Sequence, residues 1–280
     1  MNRGEKGMSK LDKYLRLNLM PHFACPGCTH GIAWAAMVRA IDKLGLDQNK
    51  TVMVCAIGCA GRLPIYLDFP SIRTPHGRAL AFATGIKLAN PKLTIVVFMG
   101  DGDALAIGGN HFIHTARRNL DLTAIVAINE IYGMTGGQYA PTTGKGRFAS
   151  TAPFGMIEPQ LDTCKLAIGA GATFVARGDV YHVMELNSLI PKAITHKGFS
   201  VVEIITSCPT HFGRRNKFKK PLDGFMRLKD LTISKGQAKK LSKEELENKF
   251  VRGILHLEER PEYVEEYDRI TGFKEEGVMP

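Results

Sequence analysis

An α/β fold, a parallel sheet covered by helices on both faces, is what this 280-residue sequence predicts, and three observations carry that reading. Short apolar runs rich in β-branched residues (TVMVCAI, LTIVVFM, LTAIVAI) recur along the chain, the mark of strands buried on both faces. Stretches with apolar residues near a 3.6 spacing fall between them, which gives the strand–helix alternation of parallel sheets. A hydrophobic share of 44% and a charged share of 23% are ordinary for a globular chain and exclude disorder, a collagen and a disulfide mini-scaffold.

The first helix is expected over residues 31–44, with Thr29 as N-cap, Ile32, Ala36, Ala40, Ile41 and Leu44 near one face, and Gly45 as its stop. Residues 51–57 read as the first strand, closed by Gly58-Cys59. A helix over 76–89 ends before Asn90-Pro91. The second strand, 93–99, runs into Gly100-Asp101-Gly102 and a helix that stops near Arg118-Asn119. The third strand covers 122–128, and a loop rich in Gly, Thr and Pro covers 132–153. A helix at 161–170, a strand at 173–176, a helix at 180–195 and a strand at 200–206 follow. Residues 221–280 are highly charged, lack a clear period and read as a peripheral helical arm. The expected organisation is an N-terminal extension (1–21), a main domain (22–220) and that charged C-terminal arm (221–280). No apolar run approaches the roughly 20 residues of a membrane span, and the first residues lack the apolar core of a secretory signal, so a cytoplasmic address is expected.

Charge is uneven. Residues 221–280 hold 11 Lys/Arg against 13 Asp/Glu, which leaves 26 against 14 in residues 1–220. A basic body suits an anionic partner: nucleic acid, a phosphorylated cofactor or an acidic protein. Six cysteines are too few for a disulfide framework at this length and read as packing residues or metal ligands.

Three groups of residues carry candidate chemistry. Asp101 follows one predicted strand and Asn129 closes the next, so both reach the crevice at the strand ends. A carboxylate with an amide oxygen is a hard donor set suited to Mg²⁺ and a phosphate, and Gly100 and Gly102 let backbone N–H groups approach that phosphate. Cys25 and Cys28 form a C-x₂-C pair, while Cys59 and Cys208 stand just past strand ends on the same edge; four thiolates hold either Zn²⁺ or an iron–sulfur cluster. Cys55 lies within a buried strand and reads as a small hydrophobe. Glycine-rich polar loops at 57–62, 76–78 and 132–138 open on that edge as well.

As an ordered set, CPGCTHG, IGCAGR, TPHGRALAFATGIKLANP, GDGDALAIGGNHFIHTARRN, NEIYGMTGGQYAPTT and CPTHFGRRN resemble the β subunits of the 2-oxoacid:ferredoxin oxidoreductases, most closely the 2-oxoglutarate type. The motifs cover about residues 22–220. The resemblance implies a thiamine-diphosphate-binding fold, with Asp101, the Asn129 side chain and the Ile131 carbonyl as Mg²⁺ ligands. It implies that Ile57, Gly58, Cys59, His76, Gly77, Gly100, Gly102, Asp103, Tyr132, Gly133 and Thr135 surround thiamine diphosphate. It also implies a 4Fe–4S cluster on Cys25, Cys28, Cys59 and Cys208, with Cys55 and Cys164 outside it. Many thiamine enzymes carry Asn-Asn where this chain has Ile128-Asn129, and the metal ligand is the second of the pair. His76 is a candidate catalytic residue. Arg62 is a candidate for the distal carboxylate of 2-oxoglutarate, or for charge balance at the cluster or diphosphate.

The glutamate that thiamine enzymes place on the aminopyrimidine is absent from these motifs, which implies half an active site completed by an α subunit. The implied reaction is CoA-acylating oxidative decarboxylation with electrons passed to ferredoxin, without nucleic acid or membrane. Two enzymatic alternatives stand beside it: oxidation of pyruvate or another 2-oxoacid, and a non-oxidative thiamine-dependent decarboxylase or synthase subunit. A third is a zinc-containing nucleic-acid binder using the basic run RRNKFKK at 214–220.

Overall fold

The computed structural model describes residues 9–246 and 249–272. In chain order, α1 (His30–Leu44) precedes β1 (Thr51–Cys55), followed by α2 (Gly58–Gly61), β2 (Ser71–Arg73) and α3 (Ala79–Ala89). Then come β3 (Thr94–Gly100), α4 (Gly109–Arg118), β4 (Leu122–Ile128) and a small ribbon of β5 (Ile131–Tyr132) and β6 (Gln138–Tyr139). The second half runs α5 (Thr163–Ala170), β7 (Phe174–Asp179), α6 (Val183–Thr195), β8 (Phe199–Ile205) and α7 (Pro221–Leu231). It ends with β9 (Thr232–Ser234), the single turns α8 (Lys235–Ala238) and α9 (Lys243–Leu246), β10 (Phe250–Leu257) and α10 (Tyr263–Thr271).

Eight strands form one sheet in the order β2-β1-β3-β4-β8-β7-β10-β9. Pairing is parallel from β2 through β7, and β10 runs antiparallel to β7. β4 and β8 are buried at every residue, as expected of continuous Val/Ile/Leu/Ala runs with helices on both sides. α5 and α6 each pack on β7 and β8 but not on one another, so they lie on opposite faces; α1 joins α6, and α3 and α4 join α5.

This topology positions the site. Because β1, β3, β4 and β8 point the same way, their C-terminal ends open on one edge. After β4 the chain passes over to β7 and returns to β8 beside β4, and this reversal of strand order creates a crevice at that edge.

Two expectations are corrected here. The described part of residues 221–280 is not a wholly peripheral helical arm: β9 and β10 extend the main sheet, while α7, α8, α9 and α10 keep the expected helical, largely exposed character. The sequence hid β10 because Arg252, Gly253 and His256 interrupt its apolar alternation. Arg252, which reads as solvated, turns inward to pair with Glu185 and to approach Asp179 at 3.8 Å. Thr29 stands at the N-cap position of α1 yet makes no side-chain cap. Its hydroxyl instead accepts from the Ser207 N–H (2.7 Å) and donates to the Ser207 carbonyl (3.3 Å), which ties the Cys28 loop to the segment carrying Cys208.

Candidate functional site

Asp101 follows β3 and caps a wide helical turn, Gly102–Ile107. Its carboxylate accepts from the Gly102 N–H (2.8 Å), the Glu130 N–H (2.9 Å) and the Thr142 hydroxyl (2.5 Å). Burial pushes its pKa up to about 6 against the pull of these donors, and the charged group beside it is a second acid, Glu130. Asn129, just past β4, is also buried and turns its Oδ1 toward the Ile131 N–H at 3.2 Å. A buried carboxylate surrounded by neutral donors and another acid lacks a positive partner, a setting that a divalent cation held with Asn129 would complete.

Glu130 is held at φ 62, a left-handed conformation costly for a side chain with a Cβ. The Thr143 hydroxyl donates to its carbonyl at 2.6 Å, and Arg227 of α7 forks onto its carboxylate at 2.6 and 3.3 Å. These contacts hold the sharp turn that presents Asn129 and Ile131. Thr142 falls at the end of the motif NEIYGMTGGQYAPTT, where it carries no assigned role, and Arg227 lies in a segment without a motif.

Asp103 braces the opposite wall. It accepts from the N–H groups of Gly77 (3.0 Å) and Ile57 (3.3 Å) and lies 2.5 Å from Nδ1 of His76, so one carboxylate holds the loops at 57–62 and 76–78. Tyr132 donates its hydroxyl to the Gly102 carbonyl at 3.0 Å. A Cβ on Gly102 would stand 2.3 Å from that ring, so only glycine fits there.

Around these groups is a cavity of about 70 Å³. Of the residues the sequence assigned to the cofactor, all line it except Gly77, which acts through Asp103. His30, Ala60 and Met134 line it too. A more open depression at Arg16, Gln48, Asp68 and Ser71 lies elsewhere, and its polar groups already pair locally, Arg16 with the Phe69 carbonyl and Gln48 with the Asp68 carbonyl.

The four loop cysteines share one neighbourhood beside the cavity. A Cβ placed on Gly133 would lie 3.5 Å from the Cys208 sulfur and 3.8 Å from that of Cys59. Burial pushes the Cys28 thiol up to about 12 and the Cys59 thiol up to about 11; Cys25 and Cys208 raise both further. Among the described residues, only Asp162, Cys164 and Glu203 bring three such ligand atoms within 4.8 Å of one another, and Arg177 already neutralises that trio at 2.7 and 2.5 Å. Tetrahedral zinc needs thiolates about 3.8 Å apart, given its bond lengths. No three sulfurs of Cys25, Cys28, Cys59 and Cys208 lie within 4.8 Å of one another.

Arg62 is not part of the cavity lining. Its guanidinium lies 5.1 Å from the centre of the Phe23 ring, and its charge lowers the Cys59 pKa. The basic side chains Arg214, Arg215, Lys217, Lys219 and Lys220 are all exposed. Pro221, which follows this run, packs against the loop between Cys25 and Cys28: a Cβ on Gly27 would meet it at 2.4 Å.

The chain matches the family described as thiamine pyrophosphate enzyme, C-terminal TPP binding domain, over residues 48–204. It is 49% identical to the 2-oxoglutarate synthase subunit KorB of Methanocaldococcus jannaschii, over 92% of this chain and 96% of that one. With the KorB subunit of Archaeoglobus fulgidus the identity is 57% over 71% of this chain and 74% of the relative. The subunit beta of 2-oxoacid:ferredoxin oxidoreductase from Saccharolobus solfataricus is 47% identical over 67% of this chain and 62% of its own length. A solved structure of 2-oxoglutarate:ferredoxin oxidoreductase from Magnetococcus marinus, with 2-oxoglutarate, coenzyme A and succinyl-CoA bound, superposes with a TM-score of 0.83. It is 32% identical and the match covers 96% of this chain and 93% of that one.

Proposed function

This chain belongs to the thiamine pyrophosphate enzymes as a β subunit of the 2-oxoacid:ferredoxin oxidoreductases, and from that premise we propose that it oxidises 2-oxoglutarate to a CoA thioester and passes the electrons to ferredoxin. The observation that carries the reading is one crevice lined by buried Asp101 and Asn129 at one part and Cys59 at another, with Cys25, Cys28 and Cys208 near Cys59. Thiamine diphosphate supplies the nucleophilic carbon and electron sink for decarboxylation, and a 4Fe–4S cluster supplies one-electron transfer.

The chain's own residues bind and orient. Asp101, Asn129 and the Ile131 carbonyl would hold Mg²⁺ and through it the diphosphate. Asp103 fixes the loops of Ile57, His76 and Gly77, which keeps the cavity shaped around the cofactor. Cys25, Cys28, Cys59 and Cys208 would ligate the cluster. The non-oxidative alternative leaves these four cysteines without a purpose. The exposed basic run at 214–220 suits an acidic electron carrier.

Acid chemistry at the aminopyrimidine is what this chain does not supply. The acids lining the cavity are Asp101 and Asp103, both engaged, while Glu130 is forked by Arg227. The reading is therefore tested by reconstitution. Purified alone, the chain is expected to show little 2-oxoacid oxidation. With an α-type subunit, CoA and ferredoxin under anaerobic conditions, 2-oxoglutarate should be oxidised faster than pyruvate. Full turnover by the isolated chain refutes the half-site, and a preference for pyruvate refutes the substrate assignment.

Arg62 decides part of that preference. At the edge of the site it can take the distal carboxylate of 2-oxoglutarate, and Arg62→Ala should then cost about 1.5–3 kcal/mol in kcat/KM for this substrate, the scale of a hydrogen bond to a charged group. Pyruvate, lacking that carboxylate, should be affected much less. Equal losses on both, with iron content unchanged, assign Arg62 to charge balance beside Cys59.

A further inference from the structure

His30 is unused by the machinery above, and its hydrogen bonding is incomplete. It opens α1, is 2% exposed, and neither of its ring nitrogens has a hydrogen-bond partner. Leaving a buried polar atom unpaired is costly, and buried side-chain polar atoms in folded proteins are nearly always paired. A histidine kept only for packing would be served better by an apolar residue of similar volume. The nearest hydroxyl in sequence, Thr29, is unavailable because it is bonded to Ser207 as both donor and acceptor.

The ring faces a cavity rather than a sealed core. It lines the same space as Asp101, Asn129, Cys59 and Gly133. Asp101 and Asn129 mark the cation end of that space. Cys59, together with the sulfur of Cys208 against Gly133, marks the other, and His30 follows Cys28 by two residues. An orphaned donor–acceptor pair is thus held at the cysteine end, where the reacting part of a bound substrate lies if the diphosphate is anchored at Asp101.

We propose that His30 is a catalytic residue that contacts the 2-oxoacid, its imidazole N–H donating to an oxygen at the reacting carbon as negative charge gathers there. The inference rests on the function proposed above and extends it to a residue with no assigned role. No covalent step is involved. A fixed donor aimed at a developing oxyanion in a buried site contributes on the order of 10²–10³ to kcat.

The test uses the chain assembled with its α subunit and loaded with cofactors, as wild type, His30→Leu and His30→Gln. Melting of the unloaded protein is expected at or above the wild-type temperature for His30→Leu, because two unpaired polar atoms are removed. Thiamine diphosphate content should match wild type. Calorimetric binding of 2-oxoglutarate and of pyruvate, without CoA or electron acceptor, should weaken at least about 10-fold for both, and kcat should fall by the factor above. His30→Gln, which keeps a donor and an acceptor, should recover part of each. Unchanged 2-oxoacid binding in His30→Leu overturns the proposal. A loss of cofactor instead makes His30 a cofactor ligand, and a melting point far below wild type makes it structural; either also overturns it. A wild-type complex that binds no 2-oxoacid overturns the function itself, and is told apart because no variant is needed to see it.

Discussion

Asp101→Ala is expected to abolish Mg²⁺-dependent retention of thiamine diphosphate, with a loss of at least about 100-fold in apparent affinity, beyond what changing a supporting residue costs. The physical reason is charge. Asp101 is the anionic member of the proposed donor set, and the diphosphate it must hold through a cation is itself an anion. Alanine also strands the N–H groups of Gly102 and Glu130 and the Thr142 hydroxyl, all of which donate to this carboxylate. Lost binding could then reflect a collapsed turn, so Asp101→Asn is the informative partner. It keeps the volume and one acceptor while removing the charge, and it should fold yet still fail to retain cofactor. Asn129→Ala removes a neutral ligand and should weaken binding less. Thiamine fluorescence of the desalted protein and Mg²⁺ titration of the refilled site give these values. Wild-type retention by both Asp101 variants would place the cofactor elsewhere.

Part of this site is legible in the sequence because the physics behind it is local. A buried parallel strand must be apolar on both faces and must end where its polar work begins. LTIVVFM before Gly100-Asp101-Gly102, and LTAIVAI before Asn129, therefore announce both strand and site. Parallel pairing of β3 with β4 then carries Asp101 and Asn129 to the same edge without further information. The same argument brings Cys59 from β1 and Cys208 from β8.

What the sequence conceals is support that arrives from far along the chain. Thr142 reaches Asp101 across 41 residues, and Arg227 reaches Glu130 across 97. A threonine in a Gly/Pro loop and an arginine on a charged helix carry no periodic mark, since their roles exist only after folding. The charged C-terminal segment misleads for the same reason. Its Arg252 pairs inside the molecule with Glu185, and β10 is half-buried along most of its length rather than apolar on both faces, so neither composition nor period reveals a strand. His30 lies inside the motif CPGCTHG, where sequence alone cannot tell a packed histidine from an unpaired one facing a cavity.

The cysteines give the second large effect, and it divides the six into two sets. Anaerobically purified protein should contain about four irons per chain, as Cys₄ ligation of a cubane implies. Cys25→Ala, Cys28→Ala, Cys59→Ala and Cys208→Ala should each strip most of that iron, while Cys55→Ala and Cys164→Ala should leave it intact. Cys55 is 1% exposed at the end of β1 with its sulfur near the Met53 carbonyl, and Cys164 is 1% exposed under Arg177 and Glu203, so neither faces the other sulfurs. Stability separates ligand loss from misfolding. Cys208 belongs to a small buried cluster with Ile131, Ala149 and Phe212, and removing its sulfur should cost roughly the burial of one methylene, about 0.8 kcal/mol, in the metal-free protein. Cys25 is exposed, so Cys25→Ala should cost the metal-free fold almost nothing while still losing iron. Iron loss without loss of metal-free stability in Cys25→Ala is therefore the cleanest sign of ligation. Stoichiometric zinc without acid-labile sulfide, or equal iron loss in Cys55→Ala, would remove the cluster from this edge and with it the route by which electrons leave.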